Sequence, residues 1–379
     1  MTPASSQSWD VIVVGAGPAG CAAGYDLARG GRSVLLLDKS DFPRVKACAG
    51  GLTAKTVRAL RYPVTQVTRE VVNRAILELP GSKPALVKTR KPICVMTVRS
   101  EFDAYCLEQT LRAGAVFRRI PAIRDIRQTG GRVAVDIGED TLEASFLVGA
   151  DGVNSVVRRF CPGAGPIARG FALEAQVPLV ESSVEMTFDF GAVKNGYGWV
   201  FPKGDHLNVG LGGYCRDAAD RVNREHLIQY VRQRLGAREI GHIVGQYLAA
   251  RSGEQRSAYG RILLAGDAAG LLDPLTAEGI YSAVISGQAA AEAMDADLRG
   301  NAIAAEVYHA KLSGLHRFLS FSERAAGRFY ANPKSVSWAV SSVPVRTAIL
   351  KVYAHGMAGG MAYLSAVSNK VRKLQTQSV

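Results

Sequence analysis

The chain has 379 residues, of which 47% are hydrophobic and 21% are charged, and this composition excludes a disordered or repetitive chain. The formal net charge of +13 favours an anionic partner, but the basic residues are scattered and match no nucleic-acid-binding motif, so no nucleic-acid partner is predicted. No apolar run reaches the roughly 18–20 residues that a membrane-spanning helix needs.

The predicted elements begin with a βαβ unit. Residues 11–14 are a short apolar strand, a glycine-rich turn and a helix to about Ala28 follow, and Val34–Leu37 form the next strand. The pattern from about 60 to 145 is mixed. We predict a helix over Glu101–Arg112, followed by β segments around Val116–Arg119, Val133–Ile137 and Phe146–Gly149.

Short alternating stretches from about 165 to 260 predict an antiparallel sheet. Its predicted strands are Val184–Phe190, Gly198–Phe201 and His206–Leu211. The turn Lys203-Gly204-Asp205 is predicted to be the hairpin loop between the last two strands.

Strand Ile262–Ala265 returns to the first domain and leads into helix Glu278–Leu298, and the rest of the chain is predicted to be helical. The two domains are therefore interleaved. We predict an α/β fold with three parts: an α/β domain of residues 1–60, 95–165 and 255–300, an antiparallel-sheet domain of residues 61–94 and 166–254, and a helical C-terminal region of residues 301–379.

The first strand is followed by the motif Gly15-Ala16-Gly17-Pro18-Ala19-Gly20, which opens the first helix. Gly15 permits the tight turn, Gly17 lets a pyrophosphate approach the backbone, and Gly20 lets the helix and strand pack closely. The helix N-terminus offers N–H donors and a positive dipole end to phosphate. Asp38 ends the second strand, where a carboxylate can accept hydrogen bonds from ribose hydroxyls.

Two further motifs follow buried strands. One is Gly149-Ala150-Asp151-Gly152, with Asn154, Ser155 and Arg158 after it, and the other is Ala265-Gly266-Asp267-Ala268-Ala269. A buried unpaired carboxylate is costly, so both acids are predicted to meet hydroxyl groups of a ligand, directly or through water. Gly279-Ile280 begins a long helix whose N-terminal dipole would stabilise negative charge.

The motifs GAGPAG, GADG and AGDAA together resemble the p-hydroxybenzoate-hydroxylase-like flavoprotein superfamily over residues 10–300. The resemblance implies that the α/β domain is a Rossmann-like nucleotide-binding domain with FAD as the cofactor. It also implies that the antiparallel-sheet domain is a substrate domain whose β-sheet covers the isoalloxazine ring. It does not decide the chemistry, because hydroxylases, epoxidases, halogenases and reductases share this fold. The motif residues with an implied role in FAD binding are Gly15, Gly17, Ala19, Gly20, Asp38, Asp151, Gly266, Asp267, Gly279 and Ile280.

Two other segments resemble the geranylgeranyl reductase family. One is Tyr197-Gly198-Trp199-Val200-Phe201-Pro202-Lys203, followed by Asn208-Val209-Gly210-Leu211-Gly212, and the other is Lys46-Ala47-Cys48-Ala49-Gly50-Gly51. Ala49 stands where the family usually has glycine. The resemblance implies further FAD contacts from Lys46, Cys48, Ala49, Gly51, Ala122 and Arg99, whose planar guanidinium suits a diphosphate.

In a strand, Tyr197, Trp199 and Phe201 point to one face by alternation. Beside a flavin this face would line an apolar tunnel for a polyprenyl chain, and Pro202 is predicted to contact the substrate with them. The alternative, that these aromatic residues are only the core of a sheet, stays open. The predicted catalytic residues are Cys48, Tyr197 and Trp199, and Cys48 would tune the flavin, donate a proton, or merely fill a small buried space.

The leading hypothesis is an FAD-dependent reductase that saturates double bonds of a geranylgeranyl or polyprenyl chain by hydride transfer. Cys48, Tyr197 and an ordered water are the candidate proton donors, and NAD(P)H or another reductant would supply electrons. The alternative in the same superfamily is a flavin-dependent monooxygenase or halogenase acting on an aromatic or isoprenoid small molecule. Against a halogenase, Tyr197 and Phe201 replace the first Trp and the Ile of a WxWxIP motif. A flavin-bound lipid carrier without turnover is the alternative from another class.

The six cysteines and six histidines show no ligand spacing, so neither a metal site nor a disulfide framework is predicted. The first ten residues do not form a signal peptide, and a cytoplasmic location is expected. Residues 336–367 are moderately apolar with interspersed cations, which fits amphipathic helices at a membrane surface or a cap on the substrate domain. The predicted partner is an isoprenoid small molecule or lipid, and the sequence is compatible with peripheral membrane contact and with a monomer.

Overall fold

The structure is a computed structural model that describes residues 8–165, 167–179, 184–213, 222–236, 239–251, 256–332 and 341–357. The chain divides into two compact units, each built from three segments. The nucleotide unit comprises Met1–Val45, Arg99–Arg169 and Tyr247–Arg324, and the sheet unit comprises Lys46–Val98, Gly170–Gln246 and Ala325–Val379.

The strands in chain order are β1 (Ser8–Val14), β2 (Val34–Asp38), β3 (Gly51–Thr53), β4 (Glu70–Val72), β5 (Arg74–Glu78), β6 (Ala85–Lys88), β7 (Cys94–Met96), β8 (Val116–Arg119), β9 (Asp125–Thr129), β10 (Arg132–Asp136), β11 (Thr141–Gly149), β12 (Ile167–Pro178), β13 (Met186–Asp189), β14 (Gly196–Pro202), β15 (His206–Gly213), β16 (Ile243–Arg251), β17 (Ala258–Tyr259) and β18 (Ile262–Leu264). The helices are α1 (Pro18–Arg29), α2 (Ala54–Ala59), α3 (Arg99–Arg112), α4 (Arg224–Leu235), α5 (Ile280–Leu298), α6 (Ala304–Ala331) and α7 (Val343–His355).

An eight-stranded sheet forms the centre of the nucleotide unit, with strand order β17-β18-β11-β1-β2-β8 and with β10 and β9 continuing from β11. β1 pairs in parallel with both β11 and β2, which confirms the predicted βαβ unit. Strands of such a sheet are covered on both faces and therefore read as continuous apolar runs. Accordingly, Val11, Ile12 and Val13 are fully buried.

Helix α1 packs against α5 in the same unit, and small residues make the close approach possible. A Cβ atom added to Gly287 on α5 would overlap the carbonyl oxygen of Ala19. Pro18 starts α1, where a missing N–H costs no helical hydrogen bond, and Gly30 follows its last residue.

A seven-stranded sheet dominates the sheet unit, with strand order β16-β12-β15-β14-β13-β5-β6. The pairs β12–β15, β15–β14 and β14–β13 are antiparallel, as predicted, whereas β13 pairs in parallel with β5. The hairpin turn after β14 is confirmed, because Lys203 N donates to His206 O at 2.8 Å and Gly204 has a φ of +80°. A three-stranded sheet of order β3-β7-β4 completes the unit.

Helix α4 lies in a segment for which only strands were predicted, and its two ends explain why it forms. Asn223 accepts a hydrogen bond from His226 N at the start, and Gly236 adopts a φ of +60° at the end. Leu227 and Val231 of α4 are fully buried in a core that also contains Val209 of β15. The helix therefore covers one face of the sheet.

The helical C-terminal region is confirmed by α6 and α7. Much of the segment 336–367, predicted as surface helices or a cap, lies outside the described residues, which omit 333–340 and 358–379. Within the described ranges, no helix has the length and apolar character required to cross a membrane.

Candidate functional site

Two glycines of the first motif are required by packing. Gly15 has a φ of +100°, and a Cβ atom there would overlap the backbone of Ala150. A Cβ atom on Gly20 would overlap the carbonyl oxygen of Gly15. The structure thus brings the first and second motifs together at the ends of β1 and β11, where Val14 is paired with Gly149.

Gly17 differs from its two neighbours in the motif. It is the N-cap residue of α1, no side chain caps this helix end, and a Cβ atom there would meet only Arg44, at 3.5 Å from Nη2. Space next to a helix N-terminus and a guanidinium suits a phosphate group. The residues present therefore fit the diphosphate of FAD.

Asp38 lies at the end of β2, as predicted, and its carboxylate orders the surrounding loops. Its two oxygens accept hydrogen bonds from Ala16 N and Ser40 N, both at 2.9 Å. Carboxylate oxygens have further lone pairs, so these bonds are compatible with a ribose contact. The contact itself stays a prediction.

Asp103 of α3 pairs with two arginines, of which Arg99 was predicted as a site residue and Arg44 was not. Arg99 binds the fully buried carboxylate of Asp103 through two hydrogen bonds of 2.8 and 2.9 Å. Arg44 also pairs with Asp103, at 3.0 Å, and its guanidinium is the group beside Gly17. Asp103 therefore orients Arg44 toward the nucleotide loop, and no local motif around residue 44 signals this role.

Asp151 of the second motif binds the start of the 3-10 helix Val157–Phe160. Its oxygens accept hydrogen bonds from Ser155 Oγ at 2.5 Å, Val156 N at 2.6 Å and Val157 N at 3.2 Å. Burial raises the pKa of Asp151, and these bonds oppose the rise. Arg158 donates to Ala268 O at 3.2 Å and so links the second motif to the third.

The third motif meets the first motif and the start of α5. Gly266 donates to Ser286 Oγ at 2.9 Å, and a Cβ atom on Gly266 would lie 3.2 Å from Cβ of Ala19. A Cβ atom on Gly279 would lie 3.5 Å from an oxygen of Asp267. The predicted residues Gly266, Asp267, Gly279 and Ile280 therefore cluster where α5 begins.

In the sheet unit, the predicted aromatic residues share one face of the sheet. Tyr197, Trp199 and Phe201 alternate along β14, and each is at most 8% exposed. Phe188 of β13 pairs with Trp199, and its ring centroid lies 5.2 Å from that of Phe201 and 6.0 Å from that of Tyr197. Two helical residues extend the cluster, since Phe329 lies 4.9 Å from Phe190 and Tyr353 lies 5.6 Å from Phe188.

Trp199 explains the two glycines and the asparagine of β15. Asn208 Oδ1 accepts a hydrogen bond from the indole Nε1 at 2.7 Å. A Cβ atom on Gly210 would overlap the indole ring, whereas one on Gly212 would lie 3.4 Å from Cζ3. The ring therefore lies along β15, over positions that lack a side chain.

We expect Gly210→Ala to destabilise the protein by about 1–3 kcal/mol, because the indole ring must leave its position to accommodate the new methyl group. The matched control is Gly212→Ala, whose methyl group would meet its neighbours at 3.3–3.4 Å and should cost less. Denaturant unfolding of both variants measures the difference. Equal losses would contradict the packing described for Trp199.

The segment from Lys46 to Gly51 lies on the aromatic face. Cys48 N donates to Glu174 Oε1 at 2.8 Å, and Glu174 of β12 pairs with Gly210, which pairs in turn with Trp199. A Cβ atom on Gly51 would lie 3.7 Å from Phe201. Directly paired residues on neighbouring strands share a face. The two segments that resemble the geranylgeranyl reductases are thus in contact.

Lys203 also binds the backbone of the segment from Lys46 to Gly51. Its Nζ donates to Ala49 O and, at 2.9 Å, to Thr97 O, and the side chain is 2% exposed. Burial lowers the pKa of Lys203 to about 8, and electrostatic interactions with Cys48 and Glu174 oppose that shift. From the sequence, Lys203 was predicted only as part of the hairpin loop and of a reductase-like segment, and Glu174 was not predicted as a site residue. The signal available for both was a charged residue inside an apolar β pattern.

The remaining predicted residues are placed as follows. Lys46 and Ala49 are partly exposed, Pro202 is buried at the end of β14, and Ala122 is exposed between β8 and β9. No group of three potential metal ligands occurs among the described side chains. The five cysteines that the structure describes are free thiols, and Cys215 lies outside the described residues.

The chain matches the family described as FAD binding domain over residues 8–311. It is 32% identical to a digeranylgeranylglycerophospholipid reductase of Methanocaldococcus jannaschii, covering 75% of this chain and 76% of that one. Identity is 31% to a menaquinone reductase of Mycolicibacterium smegmatis (75% and 76% covered) and 29% to a geranylgeranyl diphosphate reductase of Rhodobacter capsulatus (77% and 76% covered).

Among solved structures, the fold is similar to a geranylgeranyl bacteriochlorophyll reductase-like protein of Thermoplasma acidophilum, with a TM-score of 0.76, 22% identity, and 95% of this chain and 99% of that chain covered. A flavin-dependent brominase also gives a TM-score of 0.76, at 17% identity with 97% and 100% covered. At these identities the likeness shows the fold alone. The match over residues 8–311, with the relatives above, shows that this chain belongs to the FAD-binding-domain family and is an FAD-dependent oxidoreductase like the geranylgeranyl reductases.

Proposed function

We propose that the protein is a reductase that saturates double bonds of a geranylgeranyl or other polyprenyl chain. The observation that carries this proposal is the contact between the Cys48 segment and the aromatic face, through the hydrogen bond from Cys48 N to Glu174. A partly exposed thiol thereby lies beside a cluster of buried aromatic side chains. The saturation of an alkene needs an apolar environment for the hydrocarbon and a proton source.

The aromatic face supports a hydrocarbon substrate through its chemistry. Tyr197, Trp199, Phe201 and Phe188 are large, rigid side chains with few hydrogen-bonding groups, and they pack together in a buried apolar cluster. The indole N–H of Trp199 donates to Asn208, so it does not require a hydrogen-bond acceptor on a ligand. An isoprenoid chain fits such a surface without leaving a buried polar atom unpaired.

The nucleotide unit supports the other half of the reaction. Gly17, Arg44 and the start of α1 would hold the diphosphate, and Asp38, Asp151 and Asp267 are the acids proposed to order the rest of the cofactor. When bound and reduced, FAD supplies a hydride. We propose NAD(P)H as the reductant that restores it.

The protein must supply a proton, because an isolated trisubstituted alkene accepts hydride poorly unless protonation leads or accompanies the transfer. Cys48 is the donor that we favour among the three candidates, since Gly50 N donates to its Sγ at 3.4 Å. A hydrogen bond to sulfur favours the thiolate that remains when the proton has left. The aromatic residues would orient the chain and exclude water.

The head group of the substrate is a finer question. The relatives are named for substrates with a diphosphate, a glycerophospholipid or a quinone. The net charge of +13 is compatible with an anionic head group, so we propose an anionic prenyl diphosphate or phospholipid. Peripheral contact with a membrane would deliver such a lipid.

The test is an anaerobic titration. The holoenzyme is reduced with dithionite, geranylgeranyl diphosphate or a geranylgeranylated phospholipid is added, and flavin absorbance and product mass are followed. We expect the flavin to reoxidise without oxygen, with a gain of two hydrogens per reacted double bond. A fully saturated chain with the same head group is the control and should leave the flavin reduced.

The opposite result has a definite meaning. If neither prenyl substrate reoxidises the flavin, while oxygen does so and a product gains one oxygen atom or a halogen, the protein is a monooxygenase or halogenase, whose fold it also shares. Tight prenyl binding with no product under either condition would instead identify a lipid carrier.

A further inference from the structure

Four ionisable groups from four different parts of the sheet unit interact with one buried ammonium group. The group is Lys203 Nζ, which follows β14, and the four that interact with it electrostatically are Cys48 in its loop, Glu174 on β12, Cys94 on β7 and Glu70 on β4. Lys203 and Cys94 are buried, Glu174 is 7% exposed, and Cys48 is partly exposed. Only Lys203 among them carries a positive charge.

The backbone on both sides of the Cys48 thiol is held by this pair of opposite charges. Glu174 Oε1 accepts the N–H of Cys48 itself, and Lys203 binds the carbonyl oxygen of the next residue, Ala49. Lys203 also binds Thr97 O, and Thr97 N donates to Gly50 O at 2.8 Å. The loop therefore has few ways to move relative to the sheet.

Gly50 has to be glycine for this arrangement. Its φ is +61°, and a Cβ atom there would overlap Thr97 O and lie 2.9 Å from Lys203 Nζ. The same turn directs Gly50 N toward Cys48 Sγ at 3.4 Å. The sulfur thus lies where a backbone N–H and a nearby ammonium both favour negative charge.

We propose that Lys203 is a positioning residue that acts through Cys48: it fixes the loop and stabilises the thiolate form of Cys48, so that this thiol becomes an effective acid. The proposal rests on the proposed function for its catalytic consequence. In that reaction the S–H bond of Cys48 breaks, its proton forms a C–H bond at one alkene carbon, and the other carbon receives the hydride. The electron pair of the S–H bond stays on sulfur until water returns a proton.

The charge of Lys203 limits the pH range of this effect. Burial lowers the pKa of Lys203 to about 8, so the ammonium is present below that pH and is lost as the pH rises through it. Stabilisation of the thiolate is therefore strongest below about pH 8, where the neighbouring Glu174 and Glu70 keep Lys203 charged.

The experiment measures the acidity of Cys48 without any prenyl substrate. Purified holoenzyme is alkylated with iodoacetamide between pH 6 and pH 8, and the Cys48 peptide is quantified by mass spectrometry. Thiolate absorbance at about 240 nm, as the difference from Cys48→Ser, gives a second measurement. For Lys203→Met we expect alkylation at pH 7 to be about tenfold slower, because the variant lacks the ammonium that favours the thiolate.

Three variants separate charge from structure. Lys203→Arg keeps the positive charge and should stay within about threefold of the wild type. Glu174→Gln keeps an acceptor for Cys48 N but removes a negative charge, so Cys48 should alkylate faster at pH 6, where Lys203 stays charged in the variant as well. Lys55→Met removes a buried lysine of α2 and should change nothing.

An unchanged pH dependence in Lys203→Met or in Glu174→Gln, with FAD content equal to the wild type, overturns the inference, and either variant alone is sufficient if the other does not fold. Failure of the proposed function is a separate result. In that case the wild type does not reduce prenyl chains, but Cys48 acidity still depends on Lys203, which upholds the effect of Lys203 on the thiol.

Discussion

Gly17→Ala is expected to give a folded protein that has lost FAD. The new methyl group has room in the protein itself, since its nearest neighbour would be Arg44 Nη2 at 3.5 Å, but it occupies the space proposed for the diphosphate. We expect FAD affinity to fall at least about 100-fold, equivalent to roughly 2.8 kcal/mol. Flavin absorbance of the purified protein and a fluorescence titration with FAD measure the loss.

The matched variant is Gly20→Ala in the same motif. Its methyl group would overlap the carbonyl oxygen of Gly15, so this protein should lose thermal stability or fail to fold, whether or not FAD is added. A Gly17→Ala protein that keeps a full complement of FAD would show that the diphosphate does not lie at the start of α1.

Cys48→Ala is expected to slow reduction of a prenyl substrate by about 10²-fold or more, because a positioned general acid typically contributes 10²–10⁴-fold. The variant should keep FAD and bind substrate with little change, since the removed group acts in the transition state. Single-turnover reoxidation of the reduced flavin under anaerobic conditions measures the rate, and its dependence on substrate concentration measures binding.

Tyr197→Phe is the counterpart that distinguishes the two side-chain donors. It keeps the ring in contact with Phe188 and Trp199 and removes only the hydroxyl group. If Cys48 is the acid, this variant should retain most of the rate. A large loss in Tyr197→Phe together with an active Cys48→Ala would assign the proton to Tyr197.

Much of the nucleotide unit could be predicted from the sequence, because its signals are local. The motif from Gly15 to Gly20 stands between β1 and α1, and packing against nearby backbone requires glycine at positions 15 and 20. An apolar run, a tight turn and a helix start lie within about 20 residues of chain, where steric rules and helix capping act directly. The strands around residues 34, 116 and 262 followed from the same kind of pattern.

The sheet unit was less predictable. Alternation identified β14, β15 and the turn between them, but not α4, whose ends depend on Asn223 and Gly236 rather than on a strong apolar period. The pairing of β5 with β13 joins segments more than 100 residues apart, in parallel, where an antiparallel sheet was predicted. Pairing partners of distant strands are chosen by the packing of the whole sheet, which no local window contains.

The sequence by itself determined the nucleotide-binding fold and the residue types of the two reductase-like segments. Only the tertiary structure decided which charged residues contact these segments. Glu174 binds Cys48, 126 residues away in the chain, and Lys203 binds the same loop, 154 residues away. Arg44 lies beside Gly17, and Asp103 orients it there. The physical reason is that a charge buried away from water needs a partner close to it in space. Which residue lies close is set by the fold rather than by spacing along the chain.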